Sequence, residues 1–591
     1  MKEIERPALV EGDTVEWGSD VAARMLRALD VPYISLNPGA SYRGFHDSLV
    51  NHLGNETPQM LLCLNEDHVV SIAHGYAKAT DKAMACVLHS NVGLLHGSMG
   101  VFNAWCDRVP MMVIGATGPV APEKRRPWID WIHTAKDQGA VLRDFTKWDD
   151  EPRSAPGIVE AFLRGSQITH AEPAAPVYIC LDAGLQEQKL DQPIAIPSPE
   201  RYRSAPAPRA SRTTIDAVVD LLINAKNPLL LFGRGSRSQT AWDNRVKFAE
   251  LSGASVMTSI RERSIFPTDH DLHVVPPLYW LSPKTKDVAR EADVIISLDW
   301  VDLNGFLLQM SRATGDYPAQ IVHVSVDSIL HRGWSMDYFA LPPVDIPVMA
   351  GADGFVEDLL AALDARLAGK RLWKGDRRNT HPEPSYSDKA GTELAPRDIE
   401  VALAKIRGNE KFTLAHVTIG WAGDVYHFHD PLDFMGHDGA SGLAAGPGLT
   451  IGVALAMKDS GRPVVSVLGD GDFIQGATAL WTAAHYQIPA LFIVSNNRSN
   501  FNDELHQEAV AKMRGRPVQN RWIGQRITEP DMDLAALVRA QGVRSEGPVH
   551  TMEELEAAIL RGLEVVRSGL PYFIDAHVTP GYANPPLSRG E

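Results

Sequence analysis

Val464–Asn497 reads VVSVLGDGDFIQGATALWTAAHYQIPALFIVSNN, and this stretch decides the fold. The apolar run VVSVL ends in Gly469-Asp470-Gly471, a helical pattern follows, and a second apolar run, LFIVS, ends in Asn496-Asn497. Strand, helix and strand at this length make a βαβ unit, whose parallel geometry brings both strand ends to one edge of the sheet. Asp470 and Asn497 meet there although 27 positions apart. A carboxylate and an amide oxygen are hard ligands, suited to Mg²⁺ or Ca²⁺ rather than to a thiophilic metal. Mg²⁺ held by one or two side chains fills its octahedron with phosphate oxygens and water. Gly469 and Gly471 let backbone approach a diphosphate, and the helix N-terminus that follows adds partial positive charge. Gly-Asp-Gly alone is a common tight turn. Paired at this spacing with Asn-Asn at a second strand end, it is a far more specific pattern.

Outward from this unit the same alternation continues. Short Val/Ile/Leu runs occur at 32–36, 83–88, 111–114 and 177–181. Others follow at 228–232, 254–257, 294–298, 321–326 and 572–576, with helical patterns such as Val21–Leu29 between them. Nearly continuous apolar strands separated by helices predict α/β domains with doubly wound parallel sheets covered on both faces. Proline-rich, charged stretches at 186–212 and 369–396 read as linkers. They divide the chain into blocks 1–188, 189–370 and 371–591, each of ordinary domain size. Asp plus Glu number 73 against 57 Lys plus Arg, a formal charge of −16. Such a surface repels phosphate backbones and anionic lipid, so neither nucleic acid nor membrane is expected as a partner. Cys63, Cys86, Cys106 and Cys180 show no metal or redox spacing, and no apolar leader follows the first basic residue. Reduced thiols and a cytoplasmic location are the expectation.

The Gly469–Asn497 segment resembles the cofactor signature of thiamine diphosphate-dependent enzymes. That resemblance implies Mg²⁺ on the cofactor's diphosphate, held by Asp470, Asn497 and the backbone carbonyl of Ser499. The motif's fourth residue is often serine or alanine; here it is Asp472, an added negative charge. A second signature of the family is a glutamate after a strand, nine residues before Gly-Tyr-Ala, and Glu66 precedes Gly75-Tyr76-Ala77 at that spacing. Glu66 is implied to bond the cofactor's pyrimidine ring and promote proton loss from C2. By itself a glutamate there is an ordinary first-turn carboxylate. His89-Ser90-Asn91-Val92-Gly93 and Asn103-Ala104 also match the pyrimidine-binding domain. Leu443, in Gly442–Gly452, aligns with the bulky residue that supports the bent cofactor; the alternative is a core leucine.

The order pyrimidine, middle and diphosphate domain resembles the acetolactate synthase, benzoylformate decarboxylase and pyruvate oxidase group. It implies carbon–carbon bond cleavage or ligation on a 2-oxo acid or related carbonyl compound. Acyloin or dione cleavage is the alternative, and a non-catalytic relative a further one, opposed by the intact Glu66, Asp470 and Asn497. The group's architecture implies a homodimer or homotetramer with cofactor sites between subunits. Asn37-Pro38-Gly39 matches a substrate loop of benzoylformate decarboxylase, but the carboxylate-binding serine that follows there is Ala40 here, with Ser41 one place later. His89 and His270 match that enzyme's active-site histidines, and each is either a proton shuttle or a packed residue. Phe501, Glu504 and His506 either line the substrate channel or begin a solvated helix. Some relatives bind FAD in the middle domain. Gly233-Arg234-Gly235 lacks a third glycine and Ser297–Asp302 carries no arginine, so no flavin is expected.

Overall fold

The computed structural model describes residues 5–8, 14–277, 279, 281–310, 317–327, 341–379 and 393–581. Part of the expected second linker, 380–392, lies outside them. The first sheet contains β1 (Tyr33–Leu36), β2 (Gln59–Leu62), β3 (Met84–Leu88), β4 (Met111–Thr117), β5 (Trp148–Asp150) and β6 (Pro176–Asp182). The second contains β7 (Pro228–Phe232), β8 (Ser255–Thr258), β9 (Val294–Leu298), β10 (Gln320–Val324) and β11 (Ile346–Val348). The third contains β12 (Thr413–His416), β13 (Val464–Gly469), β14 (Leu491–Asn496), β15 (Arg544–Val549) and β16 (Tyr572–His577). The strand orders are 2-1-3-4-6-5, 11-10-9-7-8 and 12-13-14-16-15. Every strand pairing is parallel. The fold is thus the three-sheet α/β architecture that the apolar runs predict.

Two features of this topology position chemistry. In the first sheet the winding reverses between β1 and β3, so their carboxyl ends flank a switch point, where α/β sheets bind ligands. Asn37 follows β1 and His89 follows β3. In the third sheet β13 and β14 are neighbours in a register that pairs Gly469 with Ser495, so Asp470 and Asn497 leave the same edge.

The first and third sheets share one hydrophobic core, running from Val69, Ile72 and Leu88 through Ile451 and Leu455 to Phe473 and Phe492. At its centre the helix Glu66–Thr80 crosses the helix Ala445–Met457. Glycine permits the crossing. A Cβ on Gly75 would overlap the Leu449 carbonyl, one on Gly452 the Ile72 carbonyl, and one on Gly448 the Ser71 hydroxyl. The Gly75-Tyr76-Ala77 pattern therefore has a packing cause as well as a family one. No helix among the described residues is long and apolar enough to cross a membrane. The four cysteines are free, and all but Cys106 are fully buried.

Candidate active site

The N-terminal half of the site is built where β1, β2 and β3 end. Asn65 caps the Glu66 helix by accepting the Asp67 N–H at 2.8 Å. This fixes Glu66 at the first helical position, where Asn37 Nδ2 donates to its Oε1 at 3.0 Å. His96 Nδ1 lies 3.4 Å from Glu66 Oε2. His89 ends the β3 turn; its Nδ1 is 2.8 Å from Ser41 Oγ, and its ring meets His133 edge-on at 4.8 Å. Gly39 has to be glycine here, because a Cβ would overlap the His89 ring. Ser41 Oγ also accepts the N–H of Ser90, whose φ of +37° marks the tight turn into the next helix. Burial, then the neighbouring His133, lower the His89 pKa, so its imidazole is neutral near pH 7. His133 carries no sequence motif; its role shows only because its ring packs against His89.

The adjacent carboxylate, Asp67, points the other way. Burial, and then the charges of Asp472 and Asp438, push its carboxyl up to about 7.

The C-terminal half gathers at the ends of β13 and β14. Asp470 Oδ2 and Asn497 Oδ1 accept the same Ser499 N–H, at 3.1 and 2.9 Å. Arg498, at φ +57°, makes the turn that aims this N–H inward. A buried carboxylate and an amide oxygen beside the Ser499 backbone form a hard-oxygen set, and space is open above the Gly469 Cα. The residues therefore fit a magnesium diphosphate. Glu504 fixes the floor. It is buried, accepts the Ser499 hydroxyl at 2.6 Å, and faces Arg521 at 3.3 Å and Arg526 at 3.4 Å. Phe501 is buried as well, whereas His506 is exposed.

The structure explains Asp472. Its Oδ1 accepts the N–H groups of Ala444 (2.8 Å) and Gly446 (3.4 Å), tethering the loop that presents Leu443. Leu443 itself is 50% exposed, which removes the core-leucine reading. Within the chain, His270 stands away from both halves of the site. Its Nδ1 accepts the Leu272 N–H at 3.1 Å, its Nε2 lies 3.5 Å from Glu250, and its ring packs on Phe266 and Trp373. These contacts lie in the middle domain and the segment after it, and none reaches either half of the site. The hydrogen bonds of Glu66 and His89, in turn, all lie within the N-terminal domain. The flavin question falls on a separate cavity of about 680 Å³ where the three domains meet, walled in part by Arg209, Arg234, Glu262 and Asp299. Arg234 there stands 3.5 Å from Asp299, the residue that follows β9.

The three domains correspond to three family models. Residues 16–141 match the thiamine pyrophosphate enzyme N-terminal TPP binding domain, 215–359 the central domain and 417–576 the C-terminal TPP binding domain. The chain belongs to the thiamine diphosphate-dependent enzymes. It is 24% identical over 597 residues to the "Probable acetolactate synthase large subunit" of Methanocaldococcus jannaschii, covering 97% of this chain and 94% of that one. It is 24% identical over 533 residues to benzoylformate decarboxylase of Pseudomonas aeruginosa, covering 86% and 90%. The fold matches the crystal structure of benzoylformate decarboxylase from Polynucleobacter necessarius with a TM-score of 0.79 at 20% identity, over 97% of this chain and 100% of that one.

Proposed function

We propose that this chain uses thiamine diphosphate and Mg²⁺ to break or make the carbon–carbon bond beside the carbonyl of a 2-oxo acid, as a decarboxylase or an acetolactate synthase-like carboligase. One observation carries the reading: Asp470 and Asn497 converge on the Ser499 N–H at neighbouring strand ends, in a chain that also places Glu66 at a helix head. Asp470, Asn497 and the Ser499 carbonyl would hold the metal and its diphosphate, Leu443 would support the cofactor from below, and Glu66 would meet its pyrimidine. Bound there, the cofactor supplies an electron sink next to the substrate carbonyl. The chain supplies orientation and proton traffic. Glu66, held by Asn37, would hold a proton toward the pyrimidine ring nitrogen. Neutral His89, steered by Ser41, accepts or returns a proton at the substrate carbon. His270, whose contacts within the chain are with Glu250, Phe266 and Trp373, is assigned no step here. The proposal includes no flavin, since the turn after β9 carries Asp299 and Asp302 rather than an arginine.

An exposed apolar face beside Glu66 supports a site shared between two chains. The helix Ser90–Cys106, which passes Glu66 at Gly93, exposes Val92, Leu95 (57%) and Met99. Asn91 Nδ2 donates to the Ile132 carbonyl and joins this face to the exposed Trp128 and Trp131 (73%). An exposed apolar face of this kind marks an association surface. A second copy of the chain, as homodimer or homotetramer, would cover it and bring its own Asp470 to Glu66.

Ala40 in place of a carboxylate-binding serine, with the Ser41 hydroxyl engaged by His89, favours a second reading: cleavage of an acyloin or 1,2-dione without loss of CO₂. Incubation with thiamine diphosphate, Mg²⁺ and a panel of 2-oxo acids, acyloins and diones, with products identified by mass spectrometry, separates the two. Released CO₂ supports the first, and an aldehyde or acid without CO₂ the second. No turnover of any carbonyl substrate by the cofactor-loaded protein contradicts both.

A further inference from the structure

Outside the cofactor site, the boldest cluster of ligating side chains lies where the end of β12 meets the loop leading to Leu443. His416, His437 and Asp438 are all buried, and one ligand atom from each lies within 4.8 Å of the others. His416 Nδ1 lies 3.4 Å from the Val467 carbonyl, the contact of an N–H donor. That bond places a proton on Nδ1 and turns Nε2 toward Asp438 Oδ1, 3.5 Å away, where without a metal a second proton pairs the imidazole with the carboxylate. A histidine whose other nitrogen is held by a carbonyl is the usual arrangement of a metal ligand. His437 Nδ1 approaches Asp438 Oδ1 to 2.6 Å, yet neither atom is in hydrogen-bond geometry.

The surroundings also call for positive charge. Asp472 Oδ2 and Asp67 Oδ2 are buried and lack a hydrogen-bond partner, and neither residue forms an ion pair with lysine or arginine among the described residues. Lys78, the buried amine nearby, is committed to Asp107 at 2.5 Å and to the His437 carbonyl. Buried carboxylates without cations are costly unless a proton or a metal neutralises them.

We propose that His416, His437 and Asp438, with Asp472 as the adjoining carboxylate, bind a second divalent ion of the Zn²⁺ class. Two imidazoles and a carboxylate suit a borderline transition ion, in contrast to the hard oxygens at Asp470. With metal–ligand distances of about 2.0–2.2 Å, the three atoms would close in on one ion from separations of at most 4.8 Å. His437 and Asp438 line the three-domain cavity, which gives the ion an entry path. The ion would clamp β12 to the loop carrying Leu443. Its role is structural, and the reaction does not pass through it.

The test uses full-length protein loaded with thiamine diphosphate and Mg²⁺ and stripped of transition metal. Titration with Co²⁺ followed by absorption, and with Zn²⁺ by calorimetry, should show one equivalent per chain. His416→Gln and Asp438→Asn should each weaken that binding by tenfold or more, with the Mg²⁺-dependent binding of thiamine diphosphate retained. Asp470→Ala should leave Co²⁺ uptake intact, which separates this site from the diphosphate site. X-ray absorption on wild-type protein loaded with Zn²⁺ should show two imidazoles, a readout that needs no variant to fold. The proposal is overturned by absence of Co²⁺ or Zn²⁺ uptake in folded wild-type protein, by uptake that follows Asp470 instead of His416, or by an oxygen-only shell.

Discussion

At the scale of single residues, Glu66 and His89 have different surroundings, and the proposed reaction gives them different proton tasks. Glu66 is held by Asn37 and faces His96, while His89 sits apart on Ser41 with its pKa lowered by burial and His133. The two variants should fail differently. Glu66→Gln should keep cofactor binding but slow H/D exchange at C2 of bound thiamine diphosphate by about 10²–10⁴-fold, the size of a general acid/base contribution. His89→Ala should leave that exchange unchanged and lower turnover by about 10²-fold or more. Exchange measured by NMR together with steady-state turnover checks both. Equal losses of exchange in the two variants would contradict the division. Placement was legible in the sequence where spacing carries the information, as for Glu66 at a helix head and Asp470 and Asn497 at neighbouring strand ends. Asp472 and His133 were opaque because their partners, the Ala444 N–H and the His89 ring, come from remote segments. The Phe-Pro-x-x-His pattern does not tell whether the imidazole serves a cleft or packs; within the chain His270 meets Glu250 and Trp373.

Among the elements, strands with continuous apolar runs were readable, the edge strand β8 included, and four other edge strands were not. β5 (WDD), β11 (IPV), β12 (TLAH) and β15 (RSEGPV) all lie at or beside a sheet edge, pair on one side or over few residues, and lack the Val/Ile/Leu signal. The helix crossing at Gly75 was legible only as a motif; its cause is the approach of the Ala445–Met457 backbone. Gly75→Ala should therefore lower stability by about 1–3 kcal/mol, the cost of overpacking a core, seen as a lower Tm in calorimetry. An unchanged Tm would mean that the two helices are not packed at backbone contact.

Over the whole molecule, two junctions matter. Between the domains, Asp107 accepts from His74 (2.8 Å) and Lys78 (2.5 Å), and Lys78 also donates to the His437 carbonyl. Burial pushes the Asp107 carboxyl up, but Lys78 and His74 outweigh it and hold it at about 2, below its ordinary 3.8. A depressed carboxylate stabilises the fold above its unfolded pKa, so this contribution is complete above pH of about 4 and lost as pH falls through about 2. Asp107→Asn should cost about 3–5 kcal/mol at neutral pH by leaving the Lys78 charge buried and unpaired. Urea unfolding of both proteins at pH 7 and pH 3 checks it, with the difference between them shrinking at the lower pH. Between chains, Leu95→Asp on the exposed apolar face should shift light-scattering mass toward the monomer and remove turnover. A fully active monomer would contradict a site shared between subunits.

The account rests on Asp470 holding a metal diphosphate. Isothermal calorimetry of thiamine diphosphate, with and without Mg²⁺, on wild-type and Asp470→Ala protein tests this most directly. The expected result is one site per chain, dependent on Mg²⁺ and lost in the variant, because few other hard ligands are present there. Unchanged affinity in Asp470→Ala, or no binding by the wild-type protein, would contradict it.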